Sequence, residues 1–290
     1  MRQKRWAIAE RLSLPVVYAE LKAHAFGSAV SVSETRIAYG PDPAQHVLLV
    51  SPEKRRAGDP LVYFIHGGSW RYGSPLMFRA VGRFFASHGY IAALGGYRLV
   101  PGARFPSQLY DAIDGLAATL EWRTSAGYAD GPLVIAGQSA GAQLAALTAF
   151  DDRTRESRGL GGLSIAGMLA VSGVLDLDML CPDRTACSIV NDLMGGSEGW
   201  EKADPARFVH GAAQTPILCL HGSRDPLVPV EVAASFVLRA NGTDGDHAAF
   251  VADPSGHHSD LTRVFFGGTS LGPTLLDWLE DVSMNHEQPG

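Results

Sequence analysis

The stretch LVIAGQSAGAQLAALTA, residues 133–149, decides which fold this sequence predicts. A short apolar run leads into the pattern Gly-x-Ser-x-Gly, and an Ala- and Leu-rich run follows it. Between a strand and a helix this pattern is typical of a nucleophile elbow, in which Gly137 and Gly141 leave room for a tight turn and the hydroxyl of Ser139 emerges at the sheet edge. On its own, the pattern is equally compatible with two interpretations of Ser139: a nucleophile, or a small residue in a Gly- and Ala-rich turn.

Segments on both sides of this stretch alternate between strand and helix patterns. Short apolar runs predict strands over residues 47–50, 61–66, 90–97, 133–137, 165–173, 215–222 and 248–253. Longer periodic runs predict helices over residues 77–89, 105–127, 140–150, 231–242 and 274–282. The alternation indicates an α/β fold with a mostly parallel central sheet and helices on both faces. Ligands of such sheets lie beyond the carboxyl ends of the strands.

A serine hydroxyl becomes a useful nucleophile only with a base, and the base needs an orienting acid. After an elbow, the expected order along the chain is Ser, then Asp or Glu, then His. Asp225 follows a predicted strand and is the candidate acid, although a turn residue before Pro226 would look the same. His257 and His258 follow the last predicted strand. Because adjacent side chains cannot both face Asp225, only one of the two histidines is the base.

An oxyanion formed by attack of the serine needs preorganised N–H donors. Ala140, directly after the candidate nucleophile, is expected to supply one of them. The segment FIHGGSWRYGS, residues 64–74, follows a central strand, and Gly67 and Gly68 would let backbone amides approach a substrate oxygen. A Gly-rich turn is the alternative interpretation. The elbow, the acid and the histidine pair nevertheless follow this segment in the expected order, and their joint occurrence favours catalysis.

Composition excludes several classes of function. The 290 residues are 46% apolar and 19% charged, which fits a globular protein with a sizeable core. A net charge of −6 provides no basic face for nucleic acid. No apolar run reaches the length of a membrane span, and the basic start MRQKRW lacks the apolar segment of a secretory signal. We therefore expect a cytoplasmic protein that binds neither nucleic acid nor membrane, with a homodimer as the base-rate expectation.

The three cysteines predict neither a metal site nor a disulfide framework. The stretch CPDRTAC, which begins at Cys181 and ends at Cys187, lacks metal-ligand spacing, and no second Cys/His cluster completes it. Cys219 lies in the apolar run PILCL, which is typical of a buried structural thiol. These features favour a reducing cytoplasm, and the chemistry predicted above needs no metal and no organic cofactor.

Two segments do not fit the alternation of strands and helices. Residues 1–40 precede the predicted sheet, and residues 174–212 form a long irregular excursion between two strands. Long excursions in compact domains are commonly lids or binding loops. We expect residues 1–40 to be a separate N-terminal segment that acts as a cap, and residues 41–290 to be one catalytic domain with a lid-like excursion. Trp70 and Tyr72 are expected to line the substrate pocket together with that excursion.

These motifs resemble the α/β-hydrolase superfamily and, within it, the branch of hormone-sensitive-lipase-like carboxylesterases and kynurenine formamidases. The matching text is HGGSW at 66–70, YRLVPGARFPSQLYDA at 97–112, GQSAGAQLAAL at 137–147, HGSRDPLVP at 221–229 and GHHSDL at 256–261. The resemblance covers about residues 45–282. It implies an α/β-hydrolase fold in which a small cap or lid covers the site.

The resemblance also implies a role for each candidate residue. It makes Ser139 the nucleophile and Asp225 the acid. Relatives that contain His-Thr-Asp-Leu align with residues 258–261 and favour His258 as the base, whereas relatives with His-x-Ser align with residues 257–259 and keep His257 as the alternative. The oxyanion amides implied by the resemblance are those of Gly68, Ser69 and Ala140.

Departures from the family pattern separate the two enzyme types within this branch. Lipase-like esterases usually carry a third Gly where Ser69 stands, while formamidases have a variable residue there and then Trp, as in this chain with Trp70. Formamidases commonly show GHSAGAH, whereas this chain has Gln138 and Gln143 in place of the two histidines. His66 is expected to shape the oxyanion loop without acting as a base. The glutamines favour a general esterase over a formamidase.

The leading hypothesis is therefore a serine carboxylesterase that cleaves small to medium acyl esters through an acyl-enzyme. Its partner is a small-molecule ester or amide, and the alternative is an arylformamidase that acts on amides of the N-formylkynurenine type. A ligand-binding member of the fold without turnover is a third hypothesis. A nucleotide-binding oxidoreductase is disfavoured, because the glycines of GLGGLSIAG, residues 159–167, precede a predicted strand instead of following one.

Overall fold

The computed structural model describes most of the chain: residues 16–17, 19–24, 31–54, 58–128, 131–183, 187–209, 214–243, 245–267 and 269–285. The described residues form one eight-stranded sheet with the order β1-β2-β4-β3-β5-β6-β7-β8. Its strands are β1 (Val32–Ala38), β2 (His46–Pro52), β3 (Leu61–Ile65), β4 (Ile91–Gly95), β5 (Leu133–Gln138), β6 (Gly167–Val171), β7 (Ile217–Gly222) and β8 (Ala248–Asp253). Pairs β1/β2 and β2/β4 are antiparallel, and all other neighbours are parallel. The predicted α/β class with a mostly parallel sheet is confirmed.

Helices cover both faces of this sheet. They are α1 (Arg79–Ser87), α2 (Ser107–Ser125), α3 (Ala140–Phe150), α4 (Asp152–Ser157), α5 (Leu177–Leu180), α6 (Ser188–Met194), α7 (Val230–Asn241) and α8 (Gly272–Asn285). Short 3₁₀ helices span Trp200–Lys202, Pro205–Arg207 and Asp260–Phe266. Among the described residues, no helix is both long enough and apolar enough to cross a membrane.

The alternation of side chains along each strand divides the core into two layers. In β3, every residue is buried, because helices pack on both sides of this strand. Tyr63 belongs to the layer formed with α2, α3 and α7, whereas Val62 and Phe64 belong to the layer formed with α1 and α8. The sheet is thus a rigid support, and its carboxyl edge is left for loops.

The N-terminal segment differs from its predicted role as a cap separate from the sheet. Residues 32–38 form β1, which pairs with β2 along its whole length. The described residues 16–17 and 19–24 are helical, and Val17 and Leu21 are buried in the layer of α1 and α8, against one face of the sheet. This part of the segment therefore packs into the core. The remainder of the predicted cap, up to residue 30, lies outside the described residues.

The excursion at residues 174–212 is partly integrated into the core. Leu177, Val190, Leu193 and Trp200 are completely buried in the layer of α2, α3 and α7. Asp192 forms an ion pair with Arg71 in the loop after β3, so the excursion also reaches the carboxyl edge of the sheet.

A disulfide bond joins Cys181 and Cys187 within the excursion. The sequence did not predict this pair, and disulfides persist mainly in oxidising environments. The cysteine content therefore no longer favours a cytoplasmic location. Cys219 in β7 is the buried free thiol that the sequence predicts, and burial raises its pKa to about 12.

Candidate active site

Ser139 lies in a tight turn between β5 and α3. Its φ of 54° is unusual for a residue with a side chain and marks local strain. A Cβ on Gly137 would overlap the carbonyl oxygen of Gly141, and a Cβ on Gly141 would overlap that of Ile65. The amide of Ser139 donates to the carbonyl oxygen of Val171 at 2.9 Å. The strand, turn and helix predicted from the Gly-x-Ser-x-Gly pattern are present, and both glycines are sterically required.

Three side chains from separate loops form one hydrogen-bonded chain at the carboxyl edge of the sheet. The Nε2 atom of His258 lies 2.8 Å from Oγ of Ser139, and its Nδ1 atom lies 2.7 Å from Oδ2 of Asp225. All three residues are buried. Because Nδ1 faces a carboxylate, it carries the proton, and Nε2 is left to accept from the serine hydroxyl.

The two adjacent histidines have different partners. His258 lies between Ser139 and Asp225, whereas Nδ1 of His257 lies 3.0 Å from Oδ2 of Asp260. The geometry thus distinguishes the two residues that the sequence left as alternatives.

Asp225 receives hydrogen bonds on both carboxylate oxygens. Oδ1 accepts from the amides of Leu227 and Val228 at 2.8 and 2.9 Å, and Oδ2 accepts from His258. Oδ2 also lies 3.2 Å from Nε2 of His221. Burial alone would raise the pKa of Asp225, but the positive charge that His258 carries when it is protonated and the hydrogen bonds from His221 and His258 lower it below its usual value. The carboxylate is therefore ionised at neutral pH.

His221 is a site residue that the sequence analysis missed. It stands four positions before Asp225 in the HGSRDPLVP motif and is completely buried. Its position in that motif was the available signal, but a histidine at a strand end has no distinct hydrophobic pattern.

The loop after β3 contains three consecutive residues with positive φ. Gly68, Ser69 and Trp70 have φ values of 122°, 55° and 56°. A Cβ on Gly68 would overlap the carbonyl oxygen of Tyr72, so only glycine fits there. In the described part of the chain, no loop or turn hydrogen bond uses the amide of Gly68, Ser69 or Ala140 as its donor. These are the three amides that the resemblance predicts for an oxyanion hole.

The two predicted pocket residues have different surroundings. Trp70 is 1% exposed, and its indole Nε1 donates to Oε1 of Gln143 at 3.1 Å. The Nε2 atom of Gln143 in turn donates to the carbonyl oxygen of Ala203 at 2.7 Å. The buried side chain of Trp70 therefore connects its loop, through Gln143 in α3, to the excursion. This structural position differs from the predicted position of Trp70 in the wall of the substrate pocket. Tyr72 is 64% exposed.

His66, at the start of this loop, is also a buried imidazole. Its ring stacks on Tyr97 with centroids 4.4 Å apart, and its Nδ1 lies 2.8 Å from the carbonyl oxygen of Gly67. Desolvation lowers the pKa of His66 to about 4, so the ring is neutral at physiological pH. Its contacts are those of a residue that shapes the loop.

The chemistry available at this edge is that of an activated hydroxyl. A buried serine touches an imidazole acceptor, and the imidazole is oriented by an ionised carboxylate. The neighbouring loop carries amides that donate to no loop or turn hydrogen bond among the described residues. Among the described residues, no group of three or more His, Cys, Asp or Glu side chains has an arrangement that could hold a metal ion.

Comparisons with known proteins identify esterases among the relatives of the chain. The chain is 29% identical to Esterase LipC of Mycobacterium tuberculosis over 261 residues, which are 84% of this chain and 63% of LipC. It is 32% identical to the probable isoprenylcysteine alpha-carbonyl methylesterase ICME of Oryza sativa subsp. japonica over 222 residues, which are 71% of this chain and 54% of that protein. The chain thus spans less than two thirds of the length of these relatives.

Solved structures share the fold at lower identity. Esterase B from Lactobacillus Rhamnosis superposes with a TM-score of 0.69 at 23% identity and covers 99% of this chain and 98% of its own. A bacterial heroin esterase gives a TM-score of 0.73 at 20% identity, and the superposition covers 99% of this chain and 93% of the esterase. A hormone-sensitive lipase from a metagenome library gives a TM-score of 0.69 at 19% identity, and the superposition covers 92% of this chain and 91% of the lipase. The predicted α/β-hydrolase fold is confirmed.

The family assignment rests on a match that covers most of the sheet. The BD-FAE family model matches residues 48–239, more than half of the 290 residues. The match includes β3, the elbow at Ser139 and the acid loop at Asp225. The chain therefore belongs to the BD-FAE family.

Proposed function

We propose that the protein is a serine hydrolase that cleaves carboxylic esters of small to medium acyl chains. The observation that carries this proposal is the continuous chain of hydrogen bonds from Ser139 through His258 to Asp225, with distances of 2.8 and 2.7 Å. The names of the relatives LipC and ICME, an esterase and a methylesterase, support the choice of ester over other acyl substrates.

The proposed reaction has two halves. In the first, Oγ of Ser139 attacks the ester carbonyl while Nε2 of His258 takes the hydroxyl proton, and His258 then gives this proton to the leaving alcohol. In the second, His258 takes a proton from water, the resulting hydroxide attacks the acyl-enzyme, and the proton returns to Ser139 as the acid leaves. Asp225 stays ionised throughout and stabilises the imidazolium that forms twice per cycle.

The oxyanion of each tetrahedral intermediate needs donors that are already in place. We assign this role to the amides of Gly68, Ser69 and Ala140. Among the described residues, the first two amides donate to no loop or turn hydrogen bond, and the third lies at the N-terminus of α3. Such donors act in a buried site, where each one commonly contributes about 10²–10³-fold to the rate.

Arylformamidase activity is the second candidate function. The observation in its favour is the HGGSW segment at residues 66–70, whose Trp is typical of the formamidase-like branch. Against it, Gln143 holds Trp70 and Ala203 together inside the core, so the position that carries a histidine in formamidases serves a structural purpose here.

Turnover of two substrates separates these candidates. We expect p-nitrophenyl acetate or butyrate to be cleaved with at least tenfold higher kcat/KM than N-formylkynurenine, and the opposite order would make formamidase the function. A fluorophosphonate probe should label the wild type on Ser139. The Ser139→Ala variant should fold, remain unlabelled and lose at least about 10³-fold in kcat. A wild type without labelling or turnover would instead favour a ligand-binding member of the fold.

A further inference from the structure

Among the described residues, His221 is the one buried histidine that contacts the proposed acid and has no role in the proposed mechanism. It lies in β7, one residue before the strand ends, and its side chain is completely buried. Its Nε2 atom is 3.0 Å from the carbonyl oxygen of Val228 and 3.2 Å from Oδ2 of Asp225.

These two partners determine the tautomer of His221. A carbonyl oxygen and an ionised carboxylate are both acceptors, so Nε2 carries the proton and shares it between them. The Nδ1 atom is buried and has no hydrogen-bond partner among the described residues. Nε2 is therefore the nitrogen of His221 that donates to Oδ2 of Asp225.

The hydrogen bond from His221 falls on the same oxygen that orients the proposed base. Oδ1 of Asp225 is occupied by the amides of Leu227 and Val228, which fix the plane of the carboxyl group. Oδ2 is shared by two imidazoles, at 2.7 Å from His258 and 3.2 Å from His221. A second donor on a carboxylate oxygen withdraws negative charge from the first hydrogen bond.

We propose that His221 is a positioning residue that holds Oδ2 of Asp225 in place. By donating to the same oxygen, it weakens the electrostatic attraction of this carboxylate for the Nδ1 proton of His258. The inference rests on the proposed function, since it assigns His258 as the base. His221 touches neither the reacting hydroxyl nor the oxyanion amides, and it acts on the reaction only through Asp225.

Few other charged groups surround this network. The titratable groups that act on Asp225 are His258 and His221. His257 and Asp260 follow in the loop that carries His258, but they pair with each other. Arg263 pairs with Asp260 and with Glu20 of the N-terminal helix, so its charge is already compensated.

Substitution of His221 by Phe, Gln and Asn tests the proposal. Phe keeps a ring of similar size but has no donor. The amide nitrogen of Gln reaches about as far as Nε2 of His, whereas that of Asn is shorter. We expect H221F and H221N to raise the pKa read from the acidic limb of kcat/KM by about 0.5–1 unit, and to lower kcat by about tenfold. H221Q should stay within about threefold of the wild type in kcat, with an unshifted limb.

Two further measurements separate positioning from a merely structural role. Titration with a fluorophosphonate counts folded, reactive sites, so that kcat refers to active protein only. The low-field proton resonance of His258 Nδ1 reports the hydrogen bond to Asp225 in the resting protein and needs no turnover. We expect this resonance to move in H221F and H221N and to stay near its wild-type position in H221Q.

If H221F does not fold, the comparison of H221Q with H221N still tests the proposal. An unshifted acidic limb and an unmoved resonance in H221N, or an H221Q variant as impaired as H221N, would overturn the proposal. Failure of the proposed function has a different signature, namely a wild type that neither turns over esters nor reacts with the phosphonate. The resonance still tests the His221 contact in that case.

Discussion

Ser139 occupies a conformation that its neighbours impose. Two glycines make space for the turn, and the amide of Ser139 is held by Val171 in β6, so a φ of 54° persists despite its cost. The three candidates Ser139, Asp225 and His258 were predictable, because each lies in the segment after a strand and the three occur in the expected order. The contact of His221 with Asp225 was not, because it depends on how the loop after β7 folds back.

The Asp225→Asn variant should retain its fold and lose about 10³–10⁴-fold in kcat. An amide cannot stabilise the imidazolium of His258, and its NH₂ group would favour the tautomer of His258 with the proton on Nε2. Ester hydrolysis measured on phosphonate-titrated protein checks this result. Asp246→Asn, in an exposed loop before β8, is the matched control and should leave kcat unchanged. A D225N variant within tenfold of the wild type would contradict the assignment of Asp225 as the acid.

The loop after β3 depends on glycine at one position in particular. Gly68 has a φ of 122°, and an added Cβ would overlap the carbonyl oxygen of Tyr72, so Gly68→Ala must shift the backbone that carries the proposed oxyanion amides. We expect kcat to fall by about 10²-fold or more, because misplaced donors no longer match the oxyanion. The measurement is kcat for a p-nitrophenyl ester, with circular dichroism to verify the fold.

Gly89→Ala is the control for this loop. Gly89 has a φ of 89°, but open space surrounds the position where its Cβ would lie, so the substitution strains the backbone without a clash. It should destabilise the protein by about 1 kcal/mol and leave kcat near the wild-type value. Equal loss of activity in both variants would mean that backbone strain in general, and not the oxyanion loop, lowers the rate.

Strands and helices with strong apolar patterns were predictable from the sequence, and weaker ones were not. The sequence predicts β2 to β8 because most of them are buried on both faces and read as continuous apolar runs. Strand β1 escapes prediction because its residues VSETRIA are largely polar and half exposed at the sheet edge. Helices α5 and α6 are also missed, since four and seven residues are too few for a helical period to show.

The stability of the folded protein should depend on pH through His66. The pKa of this buried ring is about 4 in the folded state and about 6.5 in the unfolded chain, so between these values the unfolded state binds more protons. The free energy of unfolding is therefore fully retained above pH 6.5, and about 3 kcal/mol of it is lost as the pH falls to 4. Denaturant unfolding at several pH values measures this slope.

The His66→Phe variant keeps an aromatic ring against Tyr97 and removes the titration. We expect its unfolding free energy to change less between pH 6.5 and 4 than that of the wild type, whatever its stability at neutral pH. His88→Asn, at an exposed helix end, should keep the wild-type slope. Identical slopes in H66F and the wild type would show that other groups cause the acid sensitivity.

The sequence by itself determined the α/β class, the elbow at Ser139 and a candidate acid, because these follow from local patterns and from order along the chain. Only the tertiary structure decided which histidine reaches Asp225, that β1 joins the sheet, and that Cys181 and Cys187 pair. It also decided that Trp70 is buried beneath the oxyanion loop. The physical reason is shared: each of these features is a contact between segments, and which segments meet depends on the packing of the entire sheet and its helices.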